Sequence, residues 1–179
     1  VRLEHLFLVV DDDLLAQAAS LLDAGHRVVT LTGPGGSGKT GVAQRLAAVL
    51  GVRQPCWFVM LAPARDMAQF WAAIAAALGV QESGATPLPE LVRTWLAPRP
   101  ALLVLDNLEH LAGAGEAVAA LRAACPQIQL LATSRTLLRV VDEQVLRVPP
   151  LAAVDAAALF VRRAAEAGRP LVAADEQVV

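Results

Sequence analysis

Four glycines and the only lysine of the chain lie within eight residues, from Gly33 to Thr40. The segment reads Gly-Pro-Gly-Gly-Ser-Gly-Lys-Thr and fits the pattern G-x-x-x-x-G-K-[ST]. A β-branched run, 27–32, precedes it, and a run rich in alanine and leucine, 41–50, follows it. Because these runs are typical of a buried strand and a helix, the glycine segment is predicted to be a tight strand-to-helix loop.

A glycine loop in this position is suited to binding phosphate groups. Glycines let the backbone approach an anion closely, and the N–H groups at the start of the next helix point toward it. Lys39 is expected to reach β- and γ-phosphates, and the Thr40 hydroxyl to ligate Mg²⁺. The predicted cofactors are ATP or ADP with Mg²⁺, and the alternative is a glycine-rich turn with no ligand. The predicted binding residues are Gly33, Pro34, Gly35, Gly36, Ser37, Gly38, Lys39, Thr40 and Gly41.

The ratio of arginine to lysine also singles out Lys39 as a candidate functional residue. The chain has fourteen arginines beside this one lysine. A compact ammonium differs physically from a planar guanidinium, so a single lysine inside a glycine loop favours a specific task for it.

Strand-like and helix-like runs alternate along the chain. Helical spacing after Asp11 to Asp13 predicts a first helix that ends near Gly25. The predicted strands are 27–32, 56–61, 101–106, 128–133 and 144–148, and the further helices are 41–50, 67–78, 90–96 and 116–124. Such alternation implies right-handed crossovers and a parallel sheet with helices on both faces. The predicted fold is a doubly wound α/β domain.

The fifth predicted strand ends at Pro149-Pro150, and a helical stretch, 154–167, follows. We therefore predict a nucleotide-binding domain over 1–150, in which 1–25 form an N-terminal segment and helix. Residues 151–179 are predicted to begin a helical domain.

Composition excludes several classes of protein. The 179 residues are 56% hydrophobic, enough for an ordinary core, and the net charge of −2 leaves no basic excess for binding nucleic acid directly. Two cysteines in apolar surroundings, Cys56 and Cys125, indicate free thiols in a reducing compartment. No apolar run is long enough to span a membrane and no signal peptide is visible, so a cytoplasmic location is expected.

A carboxylate follows the most apolar strand. Asp106 ends the run Leu102-Leu-Val-Leu-Asp106, at the sheet edge where ligands of open α/β sheets bind. It is expected to hold Mg²⁺ beside Thr40. Many hydrolytic relatives have a second acid at the next position, but here it is Asn107, and an amide is no general base. Glu109 is the alternative candidate for this catalytic acid. The residues slightly favour the interpretation that Glu109 is only a solvated acid in a loop.

The fourth strand ends in Thr133, Ser134 and Arg135, all able to contact a terminal phosphate. Arg135 is expected to detect a γ-phosphate through a charge-assisted hydrogen bond; the alternative is a solvated arginine. The candidate catalytic residues are thus Lys39, Asp106 and Arg135, with Glu109 in the second place. The three histidines lack the spacing of a zinc site, and the three tryptophans are interpreted as core or interface residues.

Three segments together resemble the STAND branch of P-loop NTPases, specifically the NB-ARC-like ATPase module of large LuxR- and SARP-associated bacterial transcriptional regulators. They are Val28 to Thr40, Leu102 to Leu111, and Leu131 to Arg135 continuing to Leu151. The resemblance implies a three-layer α/β/α sandwich with sheet order 5-1-4-3-2. It assigns Lys39 and Thr40 to Walker A, Asp106 to Walker B and Arg135 to sensor 1.

In such relatives ADP holds an autoinhibited state, and exchange for ATP opens the protein for assembly or DNA-bound regulation. The implied partners are C-terminal helical, winged-helix and sensor domains of the same chain, a possible homo-oligomer in the ATP state, and DNA only through other domains. The segment Leu8 to Asp11 departs from the Val-Gly-Arg-Glu type of relatives, which alters the adenine side of the expected pocket.

Three functional hypotheses follow from the sequence. The first is a nucleotide-dependent switch with slow ATP hydrolysis. The second is a robust ATPase in which Glu109 replaces the missing acid. The third is a degenerate interaction scaffold without nucleotide affinity.

Overall fold

Buried residues make up almost the whole of three strands, as expected for the middle of a parallel sheet. The computed structural model describes residues 11–82 and 84–150. Within these residues the elements are α1 (Asp12–Asp23), β1 (Val28–Thr32), α2 (Lys39–Leu50), β2 (Cys56–Met60), α3 (Met67–Leu78), α4 (Leu88–Leu96), β3 (Ala101–Asp106), α5 (Ala114–Ala124), β4 (Ile128–Ser134) and β5 (Glu143–Arg147). The buried strands are β1, β3 and β4.

All five strands are parallel and lie in the order β2-β3-β4-β1-β5. The predicted order 5-1-4-3-2 is the same order counted from the other edge, so it is confirmed. Successive side chains of a strand point to opposite faces, and β3 supplies both cores in this way. Leu103 and Leu105 pack with α3, α4 and α5, whereas Leu102 and Val104 pack with α1 and α2. The predicted α/β/α sandwich is therefore confirmed.

The helix starts follow from local chemistry. The Asp11 carboxylate accepts hydrogen bonds from Asp13 N at 2.9 Å and Leu14 N at 3.4 Å, as the predicted N-cap requires. The helices α2, α4 and α5 each begin two residues earlier than predicted. Pro89 is tolerated inside α4 because the first helical turn needs no N–H partner, and Gly113 with φ of 85° starts α5.

Both cysteines are free, as predicted. Cys125 is buried, whereas Cys56 at the start of β2 is half-buried. Burial raises the pKa of the Cys56 thiol to about 11, so it stays protonated at neutral pH. Among residues 11–82 and 84–150 no helix has the length and apolar character to cross a membrane. The predicted helix 154–167, the domain start over 151–179 and the altered residues 8–10 lie outside the described residues.

Because both faces of β3 are buried, we predict that truncating one of its side chains destabilises the domain. Leu103 is fully buried, and Leu103→Ala should lower the free energy of unfolding by about 2–5 kcal/mol because it removes apolar contacts and leaves a cavity. The same substitution at Leu137, which is 54% exposed, should change it by no more than about 0.5 kcal/mol. Urea unfolding measures both, and equal losses would contradict the assigned core.

Candidate functional site

The parallel sheet brings the predicted site residues to one edge. In the sheet register Thr32 of β1 is opposite Ser134 of β4, and Leu105 of β3 is opposite Ala132. The glycine loop, Asp106 and Arg135 therefore all follow the carboxyl ends of three adjacent central strands. This edge is where open α/β sheets bind ligands.

Glycine is required at several points of the loop for geometric reasons. Gly36 and Gly38 have φ of 78° and 90°, the left-handed region that other residues avoid. At Gly33 a Cβ atom would lie 2.3 Å from the carbonyl oxygen of Val148. The loop is thus tightly curved and presses against the chain that follows β5.

The loop ends at the N-terminus of α2, where backbone donors lack side-chain partners. Asp11 and Asp66 cap α1 and α3 with their carboxylates, but α2 begins after Gly38 and has no side-chain cap. The first N–H groups of a helix have no partner within it. At α2 they and the positive end of the helix dipole are therefore directed toward the loop, as an anion site requires.

Lys39 is buried at the centre of the loop. The residue is 8% exposed, and Nζ donates hydrogen bonds to the carbonyl oxygens of Gly33 and Pro34, both at 2.8 Å. Burial lowers the pKa of Lys39; the nearby Glu109 carboxylate opposes this shift, Arg135 adds to it, and Asp106 opposes it more weakly. The ammonium group is thus held inside the loop that is predicted to surround phosphate.

Ser37 gives an independent sign of a polar ligand. It is 3% exposed, and its Oγ is buried without a hydrogen-bond partner among the described residues. An unpaired buried hydroxyl costs free energy, so this oxygen is available to a phosphate placed in the loop.

Asp106 connects three elements of the site. Its Oδ1 accepts hydrogen bonds from Thr40 Oγ1 at 2.8 Å and from Thr133 Oγ1 at 2.6 Å, and its side chain is almost fully buried. A hydroxyl and a carboxylate this close are the hard oxygen ligands that Mg²⁺ prefers. The residues present therefore fit the magnesium site that the sequence predicts.

The structure gives Thr133 a different contact from the predicted one. Its hydroxyl donates to Asp106 and accepts a hydrogen bond from Asn107 N at 2.8 Å, instead of pointing at a phosphate. Ser134 is buried, and its Oγ accepts from Thr136 N at 3.1 Å. Thr133 thus joins the ends of β3 and β4, and Ser134 supports the turn that follows β4.

Asn107 and His110 form a pair that the sequence analysis did not predict. Asn107 has φ of 72°, and its Nδ2 donates to His110 Nδ1 at 3.0 Å. His110 Nε2 donates to the Ala64 carbonyl oxygen at 2.7 Å, so the neutral ring carries its proton on Nε2. The spacing of three residues was the available signal. This pair directs the Asn107 amide oxygen away from the histidine.

Glu109 and Arg135 form an ion pair. Arg135 Nε donates to Glu109 Oε1 at 2.9 Å; the arginine side chain is 62% exposed, but the glutamate is only 12% exposed. The interpretation of Glu109 as a solvated loop acid is therefore wrong. The structure brings all four predicted catalytic residues to one edge, although two of them contact each other.

A cavity of about 710 Å³ opens on the β5 side of the loop. Its walls come from the loop and from the ends of β1, β4 and β5, and they are Thr32, Gly33, Pro34, Arg135, Thr136, Leu137, Arg147, Val148, Pro149 and Pro150. The cavity is continuous with the glycine loop, because Gly33 and Pro34 line both.

The sheet order, the glycine loop and the Thr40–Asp106 contact define a domain of the P-loop NTPase class. Comparison with protein families is in agreement: residues 22–146 match the family described as AAA domain. The chain belongs to this AAA domain family.

Curated relatives come from mycobacteria. A Mycobacterium tuberculosis protein named as a candidate HTH-type transcriptional regulator is 38% identical over 143 residues, covering 79% of this chain and 16% of that protein. An uncharacterised protein of the same organism is 36% identical over 143 residues, covering 77% of this chain and 36% of its own length. The chain thus spans about a sixth of the regulator.

Solved structures show the same fold at low identity. Cdc6p from Pyrobaculum aerophilum superposes with a TM-score of 0.70 at 18% identity, over 89% of this chain and 50% of that chain. AMPPCP-bound DnaA from Aquifex aeolicus gives a TM-score of 0.55 at 14% identity, over 93% and 55% of the two chains. These similarities concern the fold of the domain.

The contact between Gly33 and Val148 makes a prediction about the loop. Gly33→Ala should lower the free energy of unfolding by about 1–3 kcal/mol, because the new Cβ would overlap a backbone oxygen that cannot rotate away. Gly35→Ala is the matched control, since its Cβ would meet the Arg135 side chain at an ordinary 3.6 Å. Thermal or urea unfolding measures both; an equally harmless Gly33→Ala would contradict the described packing.

Proposed function

We propose that this AAA domain binds ATP or ADP with Mg²⁺ and acts as a nucleotide-dependent switch with slow hydrolysis, of the STAND and NB-ARC type. The observation that carries the proposal is the buried ammonium of Lys39 inside a glycine loop, beside the Thr40–Asp106 contact. A buried cation among backbone carbonyls can exchange these weak acceptors for a charged phosphate oxygen.

Each residue of the loop has a role in the proposal. The N–H groups from Gly35 to Gly41 surround the β-phosphate, and Lys39 contacts the β- and γ-phosphates. Thr40 and Asp106 hold Mg²⁺, which neutralises phosphate charge when it is bound. The hydroxyl of Ser37, which has no partner among the described residues, donates to a phosphate oxygen. Arg135 contacts the γ-phosphate.

The cavity on the β5 side is where we place the base and ribose. It adjoins Gly33 and Pro34, and Val148, Pro149 and Pro150 give it an apolar wall. Pockets for small ligands are mostly apolar with a few polar groups that fix orientation. The sequence has no Asn-Lys-x-Asp pattern of a guanine site, which favours adenine.

Slow hydrolysis follows from the residue after Asp106. Asn107 stands where a catalytic acid would be, and its amide cannot remove a proton from water. Glu109 is engaged with Arg135 Nε at 2.9 Å, which lowers its availability as a base. The second candidate, a robust ATPase using Glu109, is supported by one observation: its Oε2 is buried and without a partner among the described residues.

The switch is proposed to act within a longer regulator. One relative is named for an HTH-type regulator, which supports a role in transcription through a separate DNA-binding domain. In this proposal 1–150 form the nucleotide-binding domain, 151–179 begin a helical domain, and ATP promotes self-association. The proposed dependence on ATP and on DNA-bound partners supports a cytoplasmic location.

Nucleotide binding tests the proposal directly. Lys39→Ala should weaken ATP and ADP binding at least about tenfold, because a buried charge-assisted contact to phosphate is lost. Isothermal titration calorimetry on the full-length protein measures the change. Arg45→Ala, an exposed residue of the same helix, is the control and should bind as the unsubstituted protein does. Equal binding by both variants would refute the role of Lys39, and no binding by the parent protein would favour the scaffold.

Turnover separates the switch from the robust ATPase. The switch should hydrolyse ATP at about 10⁻² per second or more slowly, a rate typical of unassisted nucleotide switches. Phosphate release is the measurement. Turnover of many ATP per minute that disappears in Glu109→Gln would instead support Glu109 as the base.

A further inference from the structure

We propose that Glu109 is a positioning residue, which holds Arg135 above the glycine loop and thereby sets the preference of the site for ATP over ADP. The inference rests on the proposed nucleotide binding and gives a specific role to a side chain that the general mechanism leaves open. It rests on the geometry of the Glu109–Arg135 pair.

The backbone around Glu109 is fixed from both sides. Leu108 and Leu111 are buried, and Leu108 N donates to the Thr133 carbonyl oxygen at 3.0 Å. On the other side His110 Nε2 donates to the Ala64 carbonyl oxygen at 2.7 Å. The sequence Leu-Glu-His-Leu therefore anchors its two leucines in the core and presents the two polar residues at the site.

Arg135 needs an external contact to hold its direction. It follows the last residue of β4, and its side chain is 62% exposed. A long, exposed arginine side chain samples many rotamers, and ordering it costs conformational entropy. Glu109 is 12% exposed and its backbone is held by the buried Leu108 and Leu111, so the hydrogen bond from Arg135 Nε supplies that order.

The contact with Glu109 leaves both Nη groups of the Arg135 guanidinium free to bind a ligand. Only Nε of Arg135 donates to Glu109; Nη1 and Nη2 have no hydrogen-bond acceptor among the described residues. A Cβ at Gly35 would lie 3.6 Å from both Cζ and Nη2 of Arg135, so the guanidinium lies against the loop. Both Nη groups can therefore donate to a terminal phosphate while Nε stays on Glu109.

Charge balance explains why an acid is tolerated there. A carboxylate beside a phosphate site repels the ligand unless a cation neutralises it. Arg135 contacts Glu109 directly, and the carboxylate also favours the charged form of Lys39. Glu109 thus orients Arg135 and is neutralised by it. In the proposed site Arg135 contacts only the γ-phosphate. A fixed Arg135 side chain therefore raises the affinity for ATP and leaves the affinity for ADP unchanged.

The test is the ratio of ATP to ADP affinity, measured by calorimetry with Mg²⁺ on the full-length protein. Glu109→Ala should lower the affinity for ATP about three- to fivefold, which corresponds to the free energy of a partly exposed ion pair. The affinity for ADP should change by no more than about twofold. Glu109→Gln keeps an acceptor oxygen for Arg135 Nε and should retain the ratio of the parent protein. Arg135→Ala should remove the preference, and Glu109→Ala should have no further effect in that background.

Two controls distinguish the loss of Arg135 positioning from a general effect of removing a negative charge and from a failure to fold. Glu116→Ala removes an exposed acid from the first turn of α5 and should leave the ratio unchanged. Thermal unfolding without nucleotide shows whether each variant folds. If Glu109→Ala does not fold, Arg135→Lys is the substitute: it keeps the charge but loses the Nε contact, and it should lower the ratio.

Several results would overturn the inference. Equal losses of ATP and ADP affinity in Glu109→Ala would show a merely structural role, and a raised ATP affinity would show simple repulsion. Loss of turnover in Glu109→Gln at unchanged affinity would make Glu109 a base. The first two outcomes leave the proposed function standing, whereas the third supports the robust ATPase. Absence of ATP and ADP binding by the parent protein would defeat both the inference and the proposed function.

Discussion

The site depends on one oxygen atom, Oδ1 of Asp106, which accepts hydrogen bonds from Thr40 and Thr133. Thr40 belongs to the first turn of α2, Asp106 ends β3 and Thr133 lies near the end of β4. A single buried carboxylate thus fixes the helix that follows the loop relative to two strands. Because the interior has a low effective dielectric constant, these charge-assisted bonds are strong, and leaving the buried Asp106 or Thr133 unpaired is costly.

Oδ1 of Asp106 contributes both to the stability of the fold and to the predicted Mg²⁺ site. A carboxylate that accepts hydrogen bonds from two hydroxyls has a fixed orientation, and this brings together oxygen ligands that suit Mg²⁺. Such prearrangement lowers the entropy that binding would otherwise cost. The loop shows the same property, since its curvature is set by left-handed glycines and by the buried Lys39 ammonium.

The sequence predicted most of the fold because the signals were local and periodic. The continuous apolar run before Asp106 and the glycine loop after Thr32 each specify an element from a few neighbouring residues. Sheet order came through the family resemblance. The contacts of Glu109, His110 and Thr133 were not predicted, because each joins segments that are 26 or more residues apart in the chain. Solvation was misjudged at Glu109, since a charged residue in a loop is usually exposed and only the buried leucines on either side reverse this.

The absence of a side chain at Gly33 gives the domain a mechanical property. The Cα of Gly33 faces the carbonyl oxygen of Val148 with no space between them, and Val148 N donates to the Thr32 carbonyl oxygen at 2.6 Å. The backbones on the two sides of this contact cannot slide or approach independently. A movement of Gly33 toward this contact would therefore press on Val148, the residue before Pro149-Pro150.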